Sequence, residues 1–179
     1  MKKVATLALA LTLAAASSAV AQEKAAPANT PGAAGGKQTP AASKKPMHKI
    51  MNSGDMEWGD APPALPPGAK MAVLQGDPGK PGLFTVRMKA PDGYTIPTHW
   101  HPTDEHLTVI SGTFNLQTGD SSDMSSATAM NAGAFATMPA RMRHKAVCQG
   151  ETEVQVSGMG PFKITYVNPS DDPSKKTAR

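Results

Sequence analysis

Apolar positions between residues 71 and 167 come in short runs, and most runs end at a glycine or a proline. Residues 71–74 are apolar throughout, whereas Phe84, Val86 and Met88 alternate with Thr85 and Arg87. A period of two places alternate side chains on opposite faces of a strand. Further runs cover 105–110, 113–117, 134–138, 144–148, 152–157 and 162–167. Gly76, Gly93, Gly112, Gly133, Pro139 and Gly150 are among the residues that separate them. Short strands at regular spacing with turn signals predict an all-β sandwich or barrel. No stretch carries a helical period; the polar span 120–131 reads as a loop or a single helical turn. A core of about 100 residues, 71–168, suits one small barrel domain.

The flanks read differently. Residues 47–70 hold Ile50, Met56, Trp58 and Leu65 among prolines, and Pro62, Pro63, Pro66 and Pro67 favour an extended backbone over a helix. This predicts an extended arm packing on the barrel. Residues 22–46 are Ala, Pro, Gly, Lys and Ser with no apolar period, a composition that buries too little surface to offset the entropy of ordering. They are expected to form a disordered linker, and 169–179 a flexible tail. Residues 1–21 run from Lys2 and Lys3 through an apolar stretch to Ala19-Val20-Ala21, the order of a secretory signal peptide. The apolar stretch falls short of the roughly 20 residues that a membrane-spanning helix needs. Cleavage after Ala21, a periplasmic or secreted protein and no stable membrane anchor after cleavage are the expectations.

The 179 residues carry a formal charge of +4, but residues 71–168 hold seven Lys/Arg against eight Asp/Glu. The surplus lies in the flanks, and no basic stripe interleaves with aromatics, so nucleic acid is not an expected partner. The single cysteine, Cys148, forms no internal disulfide and reads as a buried packing residue. Serine-hydrolase, phosphate-loop and dinucleotide motifs do not occur.

The chemistry concentrates in the stretch GYTIPTHWHPTDEHLTVISG, residues 93–112, which holds three of the five histidines. His99 and His101 are two apart, so on a strand both imidazoles point to one face. A turn through Pro102, Thr103 and Asp104 brings Glu105 back beside them and leaves His106 pointing away. His144, after a second strand-turn segment, supplies a fourth donor. Histidine is the commonest side-chain metal ligand, and a carboxylate adds charge for a divalent ion. A rival set would use His106 in place of Glu105.

The same stretch resembles the first motif of the cupin superfamily, G-x5-H-x-H-x3-E-x6-G, at Gly93, His99, His101, Glu105 and Gly112. The second motif, G-x5-P-x-G-x2-H-x3-N, is met at Gly133, Pro139 and His144. It departs at Arg141, where the family has glycine, and at Cys148, where it has asparagine. The resemblance covers about residues 71–167, and the front of the domain looks like small exported single-domain bacterial cupins. It implies a double-stranded β-helix, or jelly-roll barrel, with His99, His101, Glu105 and His144 around one divalent metal: manganese, iron, zinc, nickel or copper. It also allows for a homodimer, with residues 47–70 exchanged between subunits.

Around this centre, Arg141, Arg143 and His106 are the candidate catalytic side chains: an arginine for a substrate carboxylate, His106 as a base. Asp120 and Asp123 could serve from a loop over the barrel mouth, and Met47, His48, Met51 and Met56 offer soft ligands for copper(I). The leading expectation is a metal-dependent enzyme of dioxygenase or decarboxylase type acting on a small organic substrate. A non-catalytic metal-binding, small-molecule-binding or sensor cupin and a sugar isomerase or epimerase are the alternatives.

Overall fold

A computed structural model describes residues 48–121 and 123–175. The readings of 1–21 as a signal peptide and of 22–46 as a linker lie outside the described residues. Among the described residues nine strands follow in order: β1 (Gly59–Asp60), β2 (Lys70–Gln75), β3 (Gly82–Ala90), β4 (Thr95–Trp100), β5 (Glu105–Thr118), β6 (Thr128–Asn131), β7 (Phe135–Met138), β8 (His144–Gly160) and β9 (Thr165–Tyr166). All their pairings are antiparallel, and they curl one sheet into an all-β cupin jelly roll. Among the described residues no helix is long and apolar enough to cross a membrane.

The two longest strands, β5 and β8, pair with each other along their length, from Glu105 opposite Gly158 to Thr118 opposite His144. The first half of β8 also pairs with β4 and the second half with β3. Period-two burial explains β3, where Phe84, Val86, Met88 and Ala90 face inward. In β5 the inward set changes from Glu105, Leu107 and Val109 to Phe114 and Leu116. The change of parity occurs at a register shift around Gly112. Gly112 has φ +75°, and a Cβ there would fall 2.4 Å from the Glu151 carbonyl oxygen. Only glycine fits both the left-handed backbone and the close approach.

Several sequence expectations change here. Residues 105–110 and 113–117 are one strand, as are 144–148 and 152–157, because Gly112 and Gly150 bend strands instead of ending them. The span 120–131, read as a loop or helical turn, ends in strand β6 paired to β5. Residues 162–167 contribute only the two-residue β9.

Residues 61–69 form a looped strap between β1 and β2, closed where the Ala61 N–H donates to the Ala69 carbonyl at 3.1 Å, with Ala61 and Leu65 packed on the core and Ala69 within it. Two buried phenols hold this strap: Tyr94 donates to the Pro66 carbonyl at 2.6 Å and Tyr166 to the Ala64 carbonyl at 2.7 Å. The Lys89 ammonium sits 4.4 Å from the Trp58 ring centre. Residues 169–175, part of the expected flexible tail, form two short 3-10 turns.

Candidate metal centre

His99 on β4 and His144 on β8 are direct partners across the ladder. Pro97 lies within β4, where it has no N–H for the ladder and the register shifts between Ile96 and His99. That shift turns His99 inward. His101 follows one residue past β4, and Glu105 opens β5 after the turn at Pro102. All four side chains are buried, at 4% exposure for His99, 6% for His101, 6% for Glu105 and 3% for His144.

Each histidine turns Nδ1 toward a backbone carbonyl: Pro97 for His99 at 2.8 Å, Lys163 for His101 at 3.1 Å and Met142 for His144 at 3.0 Å. A carbonyl oxygen only accepts, so in each bond Nδ1 carries the proton and donates it. The neutral ring then presents a lone pair at Nε2. One potential ligand atom from each of the three rings lies within 4.8 Å of the others. Burial holds the pKa of His99 well below the ordinary histidine value, with the neighbouring His144 and His101 rings pushing the same way. Burial also lowers that of His101, against the pull of the Glu105 carboxylate.

Glu105 completes the arrangement. Its Oε2 lies 3.2 Å from His144 Nε2 and 3.5 Å from His101 Nε2. This oxygen is buried and, among the described residues, accepts no hydrogen bond. A buried polar atom without a partner costs about 1–3 kcal/mol, and more when charged. With the Nε2 atoms unprotonated, a carboxylate oxygen and imidazole lone pairs repel one another across a small space. A small cation converts that repulsion into attraction, and nitrogen and oxygen donors suit a divalent transition metal. The residues present therefore fit such an ion.

The other sequence-derived candidates lie elsewhere. His106 faces outward, 3.3 Å from the Thr137 hydroxyl and stacked near Phe135, which excludes the rival ligand set containing it. Exposed Arg143 pairs with Asp120 at 2.5 Å. Exposed Arg141 has its guanidinium 6.0 Å from the Trp100 ring centre, and its backbone N–H donates to the His101 carbonyl at 2.8 Å. Its φ of +66° is a conformation that glycine adopts without strain, which accounts for the residue type expected there from the second motif. Asp123 binds the Ser125 backbone and hydroxyl in the loop between β5 and β6. Cys148 is buried in the hydrophobic core, where burial raises its thiol pKa. His48 is exposed and Met51 and Met56 are half-buried, while Met47 lies outside the described residues.

Sequence reading missed the partners that orient the ligands. Phe162 stacks on His101, and Tyr166, paired with His99 in the ladder, stands 6.0 Å from its ring. The carbonyls of Pro97 and Met142 each lie two residues before the histidine they hold, a spacing repeated in both motifs. Phe162 and Lys163 carry no comparable signal.

A protein-family model described as a domain of unknown function (DUF4437) matches residues 20–165. No curated protein matches by sequence. Among solved structures, the chain is similar to the polyketide cyclase RemF from Streptomyces resistomycificus, at 17% identity and TM-score 0.60, covering 74% of this chain and 94% of that one. It is similar to a candidate acetylacetone dioxygenase from Methylibium petroleiphilum PM1, at 21% identity and TM-score 0.57, covering 72% and 87%. A cupin-2 domain from Rhodospirillum rubrum matches at 11% identity and TM-score 0.52, over 71% and 85%. At these identities the likeness concerns the fold.

Proposed function

The chain belongs to the DUF4437 family and has the cupin fold, and from that premise we propose that it is an exported metal-dependent enzyme acting on a small organic substrate. His99, His101, His144 and Glu105 would hold a single divalent ion: manganese, iron, zinc, nickel or copper. The observation that carries this reading is the unpartnered Glu105 Oε2, buried beside the Nε2 atoms of His101 and His144. When bound, such an ion supplies Lewis acidity and, for the redox-active metals, electron transfer. The chain's own part is to keep Nδ1 protonated on each ring, to aim the lone pairs inward and to exclude bulk water from the centre. Dioxygenase- or decarboxylase-type chemistry is the class we favour. The names of the cyclase and the candidate dioxygenase support a small organic substrate.

A second reading, a non-catalytic metal-binding or small-molecule-binding cupin, is favoured by the placement of Arg141, Arg143 and His106. All three are exposed, so none provides a proton donor or anchor inside the barrel in this conformation. The same placement weighs against a sugar isomerase or epimerase, which needs an acid/base pair. Export is part of this proposal: the charged, apolar and small-residue order of residues 1–21 supports cleavage after Ala21 and a periplasmic or secreted mature chain beginning at Gln22. A homodimer is compatible with the fold.

The test is metal analysis of the purified mature protein, followed by oxygen-uptake and carbon dioxide assays on phenolic, β-dicarbonyl and dicarboxylic acids. A single bound divalent ion, lost in His101→Ala, is expected. Substrate-dependent oxygen consumption with iron, manganese or copper supports a dioxygenase, and anaerobic release of carbon dioxide a decarboxylase. Zinc with no turnover favours the binding protein. Failure of the wild-type chain to retain or take up any divalent metal overturns the enzyme reading and the metal-binding form of the second, leaving only a small-molecule binder.

A further inference from the structure

His101 is held differently from the other two histidines. His99 and His144 face each other in the ladder, and each bonds a carbonyl two residues back in its own segment. His101 lies past the end of β4, and its Nδ1 reaches the Lys163 carbonyl, 62 residues away in sequence. Its ring also lies flat against Phe162, with centroids 4.0 Å apart and planes 15° apart. Phe162 in turn tilts on Phe84, at 4.9 Å and 53°, and Phe84 is completely buried.

The connector between β8 and β9 is thus a mount built on the core. Its position is fixed from behind by the turn between β2 and β3. The Phe162 N–H donates to the Pro78 carbonyl at 2.7 Å, and a Cβ on Gly160 would fall 2.1 Å from the Lys80 carbonyl oxygen. A hydrogen bond at Nδ1 fixes the tautomer and, with the Cβ–Cγ bond, tethers the ring at two points, but the broad geometry accepted at a carbonyl still lets its plane tilt. A flat aromatic contact removes that freedom, since the ring cannot turn without losing dispersion contact.

We propose that Phe162 is a positioning residue of the metal centre: stacked on His101 while the Lys163 carbonyl holds Nδ1, it sets the plane of the third imidazole so that Nε2 points at the ion. This rests on the metal-binding reading above. Partners that orient metal ligands typically contribute about 10–100-fold in metal affinity.

Cobalt(II) is the probe, titrated into the full mature chain after chelator treatment, with affinity and visible absorption both read. Wild type, Phe162→Ala, Phe162→Tyr and His101→Ala are compared, and thermal melts confirm that each is folded. Phe162→Ala is expected to bind about 10–100-fold more weakly, with its spectrum shifted toward that of His101→Ala. Phe162→Tyr, which keeps the ring, should restore both. Should Phe162→Ala not fold, Phe162→Leu replaces it with the same expectation. Wild-type affinity and spectrum in Phe162→Ala would overturn the inference and leave the metal centre intact. Weaker binding with an unchanged spectrum would also overturn it, since that marks a loosened fold and not a misplaced imidazole. A wild-type chain that takes up no cobalt strikes at the metal-binding reading itself.

Discussion

Glu105 is the residue whose surroundings fit least well without a cation, and it makes the sharpest single-residue prediction. In Glu105→Gln the amide can donate to the Nε2 lone pairs that the carboxylate oxygen opposes. The metal-free protein should therefore gain about 1 kcal/mol of stability, while the rise in melting temperature on adding metal should shrink. Melts with chelator and with manganese or zinc measure both, and a metal-free variant less stable than wild type would contradict the assignment. The histidines add a pH dependence. His99 and His101 titrate below 6.5 in the folded chain, so between that value and their depressed pKa the unfolded chain binds more protons. Stability of the chelator-treated protein should be level above pH 7 and fall as pH drops below about 6.5. An unchanged melting temperature down to pH 5 would show that folding does not depress the pKa of these rings. That His99, His101, Glu105 and His144 lie close together was legible from the H-x-H spacing, the turn at Pro102 and the second strand-turn segment before His144. Their carbonyl partners were not, because a backbone oxygen has the same identity in every residue.

At the scale of elements, the strands were legible and their continuity was not. A glycine between two apolar runs marks a place where the backbone departs from a regular strand, but sequence does not say whether the strand ends or bends there. Gly112 and Gly150 are bends, because β5 and β8 stay paired on both sides of them. Strand β6 escaped for a different reason: Thr128, Ala129 and Asn131 are exposed and only Met130 is buried, so its amphipathic signal is a single residue. The bend at Gly112 can be tested against a glycine that only needs a left-handed backbone. Gly119 has φ +91°, and a Cβ there would meet nothing within 4 Å, so Gly119→Ala should cost about 1–2 kcal/mol. Gly112→Ala adds overlap with the Glu151 carbonyl and with Thr152, and should cost at least about 1 kcal/mol more than Gly119→Ala. Denaturant melts compare the two directly; equal costs would mean that the β5–β8 crossing has room to relax.

Across the whole molecule, contacts far apart in sequence hold the barrel closed. The Tyr166 hydroxyl bonds a carbonyl 102 residues earlier, and Tyr94, the residue just before β4, bonds the same strap. Both phenols are buried, and burial raises both pKa values, so the hydroxyls remain protonated donors at neutral pH. The strap between Ala61 and Ala69 contains Pro62, Pro63, Pro66 and Pro67, which offer carbonyls but no N–H groups. Tyrosine hydroxyls are suited to such a segment because they can supply the donors that its carbonyls lack. Replacing either tyrosine with phenylalanine removes one bond, leaves a carbonyl without its partner and should cost about 0.5–1.5 kcal/mol. The two bonds are not independent, because losing one lets the strap move and weakens the other before it is removed. Tyr94→Phe with Tyr166→Phe should therefore destabilise by less than the sum of the single changes, with a coupling of at least about 0.5 kcal/mol. Strict additivity in that double-mutant cycle would show that Ala64 and Pro66 are anchored separately and that the strap does not act as a unit.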